Sequence, residues 1–428
     1  MGLSLTVLTF ILPAIHRSAT QERGAFRKGS IPVEDEMRLS VVSGGLAIAQ
    51  AVGQAVGQAV GLSLVLLQGA AEAAEKQQIL VTDIAGREAK LSVPVERMLL
   101  GEGRQLYLVA SLAPEDPLER IAAWRDDLKQ ADPATYRQYL KVFPKLDALP
   151  AFKGQENSLI DIEGAVIQKP DVVLLNLEAM RANEDADYIA KLTALGIPVL
   201  YIDFRHEPLK NTEPSIRLLG KIMGEEARAE EIIAFRGKAM ARVTDVLDKA
   251  RPDRPKVFIE RIGGYTEDCC LTFGNENFGK YVELAGGQNI GTEFLPGTFG
   301  QINPEQVIVS NPDHVVVTSA NWEAYVPGGR WIPLGPGADM NKAAEKLAWF
   351  TSRPAYSGIT AQTTGAFHGI WHQFYNSPYE FVAVQQFAKW FHPDLFQDLD
   401  PDETFAEYHR KFLPIDYQPG YSVSLRGE

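Results

Sequence analysis

Cysteine is nearly absent: the chain of 428 residues holds two, adjacent at Cys269 and Cys270. Two thiols cannot complete a four-cysteine zinc site or a disulfide scaffold. They are expected as free or partly buried thiols, with a vicinal disulfide as the alternative in an oxidising compartment. Basic excess is absent too. Lys and Arg total 42 against 55 Asp and Glu, the formal net charge is −13, and no dense basic run occurs. Nucleic-acid binding, which needs a basic face to neutralise phosphates, is thereby excluded. No Gly-x-Ser-x-Gly elbow, phosphate-cradling glycine loop or complete zinc motif is written anywhere. A secreted hydrolase or metalloenzyme is left only as a minor alternative.

What is present fits a globular protein with two cores: 45% of residues are hydrophobic, 23% charged and 9% aromatic. The amino-terminal part reads as an address. Met37-Arg38 opens an uncharged apolar stretch that ends in Ala71-Glu72-Ala73. Basic, apolar, then Ala-x-Ala is the order of a cleavable secretory signal, so residues 37–73 are expected to be removed before Ala74. The stretch is also long enough for a membrane anchor, although its Gly, Gln and Ser content argues against one. It lacks a terminal Cys for lipid attachment. Residues 1–36 are expected to be an upstream extension, and the mature protein to be periplasmic.

Beyond the leader the text alternates between short apolar runs and helix-like periodicity. Alternating residues on either side of Ala85-Gly86 predict a hairpin, and residues 97–100 a buried strand; "DVVLLNLE" and "IPVLYIDFR" predict two more. Helix and strand in alternation imply a parallel α/β sheet. Helical periodicity over about residues 214–250, broken near Gly224, predicts a long connecting helix ending at Pro252. The alternation then resumes, and "YEFVAVQQFAKWFHPDLF" is the last helix expected. The organisation predicted is an α/β lobe over residues 78–212, a helical backbone over 213–252, and a second α/β lobe over 253–428.

One phrase is written twice. "IDIEGAVIQKPDVVLL" from Ile160 and "INPEQVIVSNPDHVVV" from Ile302 align without a gap, placing Glu163 over Glu305 and Pro170-Asp171 over Pro312-Asp313. In each, a short helix carrying an early Glu is expected to stop at the proline and lead into a buried strand. Such a unit can be duplicated for structural reasons alone, with each Glu merely stabilising a helix start.

These phrases, with "VTDIAGREAKLSVPVERMLL", "LTALGIPVLYIDFR", "LLGKIMGEEARAEEII", "YVELAGGQNIG" and "AKWFHPDLFQDLD", resemble in order the blocks of periplasmic iron-siderophore and cobalamin binding proteins of ABC importers, the group with a helical backbone between its lobes. The resemblance covers nearly all the chain after the leader. It implies a class III binding-protein fold and a monomeric receptor, not an enzyme. Such a receptor has no resident cofactor and delivers a ferric siderophore to an inner-membrane permease with its ATPase. It also implies that Glu163 and Glu305, one per lobe, dock on the permease.

Ligands of open α/β sheets lie beyond the carboxyl ends of the strands. That rule selects Arg104, Tyr107, Glu178, Arg181, Arg205 and His206 in the first lobe, and Arg261, Tyr265, Trp322, Tyr325, His368, Trp371 and Tyr375 in the second. Arginine forks suit the oxygens of an anionic chelate, and aromatic rings suit its apolar walls. His368 and His372 are four apart and on a helix could share a metal. The zinc-protease pattern, however, needs Glu where Gly369 stands. Cobalamin, haem and a bare transition-metal ion are the alternative cargoes, and only six histidines follow the leader to serve the last of these.

Overall fold

The computed structural model describes residues 76–152 and 161–426. The upstream extension, the leader and its cleavage point before Ala74 lie outside these described residues. Residues Ala74–Glu428 cluster as one unit. The expected hairpin pairs β1 (Gln77–Thr82) with β2 (Glu88–Val93), turning through Gly86 at φ +77, an angle that costs glycine nothing.

The first lobe is a parallel sheet of β3 (Met98–Leu100), β4 (Ile121–Trp124), β5 (Val172–Asn176) and β6 (Val199–Ile202), in the order β4-β3-β5-β6. Every residue of β5 and β6 is buried, because helices cover both faces. Alternation sorts the side chains between layers. Leu99 and Val173 face one core, while Met98, Leu100 and Leu174 face the other.

The helical backbone departs from expectation at its start. A helix Pro208–Met223 precedes the longer Glu226–Ala250, and Pro214 lies inside the first of them. Pro208 takes the first helical position, where a missing N–H costs nothing. The Asp203 carboxylate orders the turn before it by accepting the N–H groups of Arg205, His206 and Glu207. The break at Gly224 is as expected, with φ +75.

The second lobe holds β7 (Lys256–Glu260), β8 (Leu271–Phe273), β9 (Gln288–Asn289), β10 (Phe299–Gln301), β11 (His314–Ser319), β12 (Phe367–Trp371) and β13 (Ser422–Ser424). Its main sheet runs β13-β12-β11-β7-β9, parallel except for β13, while β8 and β10 form a separate antiparallel pair. The helix Glu380–Phe391 is not the last. Pro401–Phe412 follows it, capped by Asp400, with acids in its first turn and bases in its last. One continuous apolar core passes from the first lobe (Leu100) through the backbone (Ile216, Ile232) into the second (Val257, Phe387).

Cys269 and Cys270, expected as thiols, are instead joined to each other in a vicinal disulfide. Among the described residues no helix is long and apolar enough to cross a membrane.

The duplicated phrase folds twice in the same way. Helices Ile162–Ile167 and Pro304–Ser310 are capped by the matched Asp161 and Asn303. Past each helix comes a residue of left-handed conformation, Lys169 (φ +48) or Asn311 (φ +47), followed by a buried proline. Asp171 then accepts the backbone N–H of Glu96 and Arg97, and Asp313 that of Lys256, which fixes each repeat to the start of its lobe. β5 and β11 follow as the expected buried strands.

Candidate functional site

The carboxyl ends of both parallel sheets point at one cleft. Arg104 follows β3, Asp127 β4, Glu178 β5 and Arg205 β6. From the other lobe, Arg261 follows β7, Trp322 and Tyr325 follow β11, and His372 and Tyr375 follow β12.

Tyr375 is the centre of this set. Arg104 Nη1 donates to its hydroxyl at 2.5 Å and to Gln373 Oε1 at 3.2 Å, and the guanidinium carbon lies 5.4 Å from the ring centre. The Arg205 guanidinium lies 5.1 Å from the same centre. His372 stacks on Tyr375 with centroids 4.2 Å apart. Asn277 holds the corner by donating to the carbonyls of both Arg205 and Tyr375, at 2.6 and 2.8 Å.

Charge in the cleft is nearly balanced. Arg104 pairs with Glu102, with Asp127 4.0 Å away, and Arg205 pairs with Glu178. Arg261 has no carboxylate partner among the described residues. Its guanidinium carbon sits 3.9 Å from the centre of the Phe299 ring, and its Nε is buried without a hydrogen bond. Burial, opposed by Tyr375 and reinforced by Arg205, brings its pKa down to about 10. Burial first, then the Glu102 charge, lifts the Asp127 carboxyl to about 6 although Arg104 opposes this. Burial likewise raises Glu178 despite Arg205. His372 is held neutral by burial and then by Arg261, Arg104 and Arg205, all three of which act on it.

An aromatic wall closes one side. Tyr265 packs edge-on against Trp322 at 5.6 Å and lies 6.0 Å from Tyr325, and Trp322 meets His372 at 5.7 Å. Tyr265, Tyr325 and Phe299 keep exposed surface, unusual for large aromatics without a ligand or partner. Burial raises the Tyr325 hydroxyl to about 12, so it stays a neutral donor.

Several expected residues lie elsewhere. Tyr107 is buried, donates to Asp132 at 2.8 Å and accepts at its carbonyl from Tyr379, so it ties the lobes together beneath the cleft. Trp371 alternates inward from the strand and packs on Phe374 and Tyr421. His368 sits near the opposite end of β12, 3.0 Å from His314 and stacked on Trp390. It therefore cannot act with His372, and residues 367–371 are a strand and not the helix that a shared metal would require. His206 lies at the rim beside Asn277 and Lys280, and Arg181 is fully outside, paired with Asp185. Sequence reasoning passed over Glu102, Asp127 and Phe299 as cleft groups, and weighed His372 only together with His368. The first two follow strand ends and the strand-end rule could have found them. Phe299 belongs to the small β8–β10 ladder, which has no periodic signature. Among the described residues no three His, Cys, Asp or Glu are placed to hold a metal ion.

Comparison with known proteins agrees with this architecture. The periplasmic binding protein family model matches residues 121–368. The molybdate-binding protein MolA of Haemophilus influenzae is 23% identical over 362 residues, spanning 79% of this chain and 92% of that protein. The crystal structure of the TroA-like periplasmic binding protein FepB from Veillonella parvula superposes with a TM-score of 0.73 at 27% identity, covering 81% of this chain and 99% of that one. CeuE of Helicobacter pylori, solved with nickel and histidine, has the same fold at 15% identity and a TM-score of 0.59, covering 79% and 97%. The chain belongs to the periplasmic binding proteins, the substrate-binding receptors, not enzymes, that work with the permease and ATPase of ABC importers.

Proposed function

We infer that this receptor captures an anionic ferric chelate, a siderophore complex, in the interlobe cleft and delivers it to an inner-membrane permease. The observation that carries the reading is the gathering of Arg104, Arg205 and Arg261, from both lobes, around Tyr375 and His372. A chelate whose ligand atoms already fill the iron's coordination sphere offers a protein only its outer oxygens and walls. Guanidinium forks suit the oxygens, and the exposed Tyr265, Tyr325 and Phe299 suit the walls of a large, flat ligand. The protein needs no resident cofactor for this task. A bare metal ion is a poor fit, because Glu102 and Glu178 are already engaged by arginines.

A second reading has one observation in its favour. Arg261, a partly buried cation with no carboxylate partner among the described residues, would also suit a small oxyanion, and the likeness to a molybdate-binding protein points the same way. The exposed aromatic wall favours the larger chelate. Cobalamin and haem would use that wall without calling on three arginines.

Glu163 and Glu305 are proposed to dock the two lobes on the permease, and the leader over residues 37–73 to place the mature monomer in the periplasm. Neither carboxylate forms a hydrogen bond or ion pair among the described residues. Paired variants test the two halves of the reading. Arg205→Met with Arg261→Met should abolish ligand binding. Glu163→Ala with Glu305→Ala should keep binding and lose uptake. Normal chelate binding by the first pair would remove the ligand assignment, and wild-type uptake by the second would remove the docking role.

A further inference from the structure

The duplicated phrase contains a second matched pair with no structural task. Within each copy, nearly every matched position can be accounted for inside its own lobe. Asp161 and Asn303 cap the helices, and Ala165 and Val307 are buried beneath them. Arg97 donates to the carbonyl of Gln168 at 2.6 Å, and Lys256 donates to that of the matched Ser310 at 3.2 Å, so both carboxyl ends are satisfied by a cation at the start of β3 or β7. The left-handed residues, prolines and aspartates complete the turn into β5 and β11. Two positions are left over. One is the Glu pair. The other, four residues later, is Ile167 in the first copy and Val309 in the second, which are 74% and 84% exposed.

We propose that Ile167 and Val309 are apolar anchors of the same docking surface, seated in a matching apolar recess on each half of a two-fold membrane permease. The proposal rests on the docking role read for Glu163 and Glu305. Residues four apart lie on one helix face, about 6 Å apart along the axis, so each lobe presents an acidic group and a branched aliphatic group side by side. A single exposed aliphatic residue on a surface needs no explanation. Here the two most exposed large hydrophobics among the described residues occupy equivalent positions of an ungapped repeat, 142 residues apart, each beside the unpaired Glu. A partner that meets both lobes by two-fold symmetry accounts for the recurrence. It must carry, twice, a cation beside an apolar depression.

The test is binding of the ligand-free receptor to the importer's permease–ATPase complex in lipid nanodiscs, for wild type, Ile167→Ser, Val309→Ser and the double variant. Glu163→Ala/Glu305→Ala is run in parallel. Both serine substitutions lie on exposed surface, and thermal melting checks that the fold is unchanged. The expected result is tenfold or greater weakening in the double variant, with similar partial losses in the single ones. Wild-type affinity of the serine double variant, with the Glu variant impaired, would overturn the apolar anchors alone. Wild-type affinity of both would overturn the docking surface as a whole.

Discussion

Arg205 and Tyr375 come from opposite lobes, yet the guanidinium carbon of Arg205 lies 5.1 Å from the centre of the Tyr375 ring. Through this contact, and the Arg104 hydrogen bond to the same phenol, the two lobes meet at one aromatic ring in the cleft.

Arg261 should separate affinity from stability. Its largely desolvated charge pairs with no carboxylate among the described residues, so Arg261→Met removes a destabilising charge while deleting the charged hydrogen-bond donor proposed for the ligand. Ligand affinity should fall by about 1.5–3 kcal/mol, roughly ten- to a hundredfold, while the melting temperature stays level or rises. Calorimetric titration and thermal melting on the same samples check both signs.

Asp127 should make binding depend on pH. Its carboxyl, at about 6, stands above the unfolded value near 3.9. The native state therefore holds the proton more tightly, and its contribution to stability is full below about pH 4 and lost as pH rises through about 6, by up to about 3 kcal/mol. Protonation also removes a negative charge 4.0 Å from Arg104, so anion affinity should increase from pH 7 to pH 5. Asp127→Asn should flatten both profiles, read by urea denaturation and by titration across pH.

The backbone helix is fastened to the second lobe by Arg236, which donates to Glu380 at 2.6 Å and to Glu213 at 2.9 Å. Arg236 and Glu380 are buried, so Glu380→Ala leaves a charge without its closest partner. About 3–5 kcal/mol of stability should be lost. Replacing both residues by apolar ones of similar volume should cost far less, as chemical denaturation would show.

Closure on ligand should be small. The lobes already share one apolar core, and Asn376 of the second lobe donates to Glu102 of the first at 2.8 Å, as Gln373 does to the Ala131 carbonyl at 2.7 Å. Small-angle scattering of free and loaded protein should give superimposable radii of gyration. A clear compaction would show hinge bending that the shared core does not predict.

The two-lobe plan was legible because parallel strands buried on both faces write apolar runs such as Val172–Asn176, and because Gly224 marks a helix break in plain text. The repeat was legible at the level of single positions, down to its helix stop at Pro170 and Pro312. Strand-end reading named Arg104, Arg205, Arg261 and Tyr375, which the structure brings together between the lobes. It failed for Tyr107, Trp371 and His368, since the rule fixes which end of a strand is near the cleft but not which way each side chain turns. Pro401–Phe412 was passed over although Asp400 and its graded charges signalled it; the acidic run at Asp398–Asp402 hid a helix whose large buried apolar side chains are Phe405, Tyr408 and Phe412.

Tryptophan fluorescence titration of residues 74–428 tests the central claim most directly, since Trp322 stands in the aromatic wall. The panel is ferric hydroxamate, catecholate and hydroxycarboxylate chelates, molybdate, haem, cobalamin and Zn²⁺. Saturable submicromolar quenching by one ferric class, lost in Trp322→Phe and Arg261→Met, is the predicted result. Silence toward every ferric chelate, with tight binding of molybdate or another member of the panel, would contradict it.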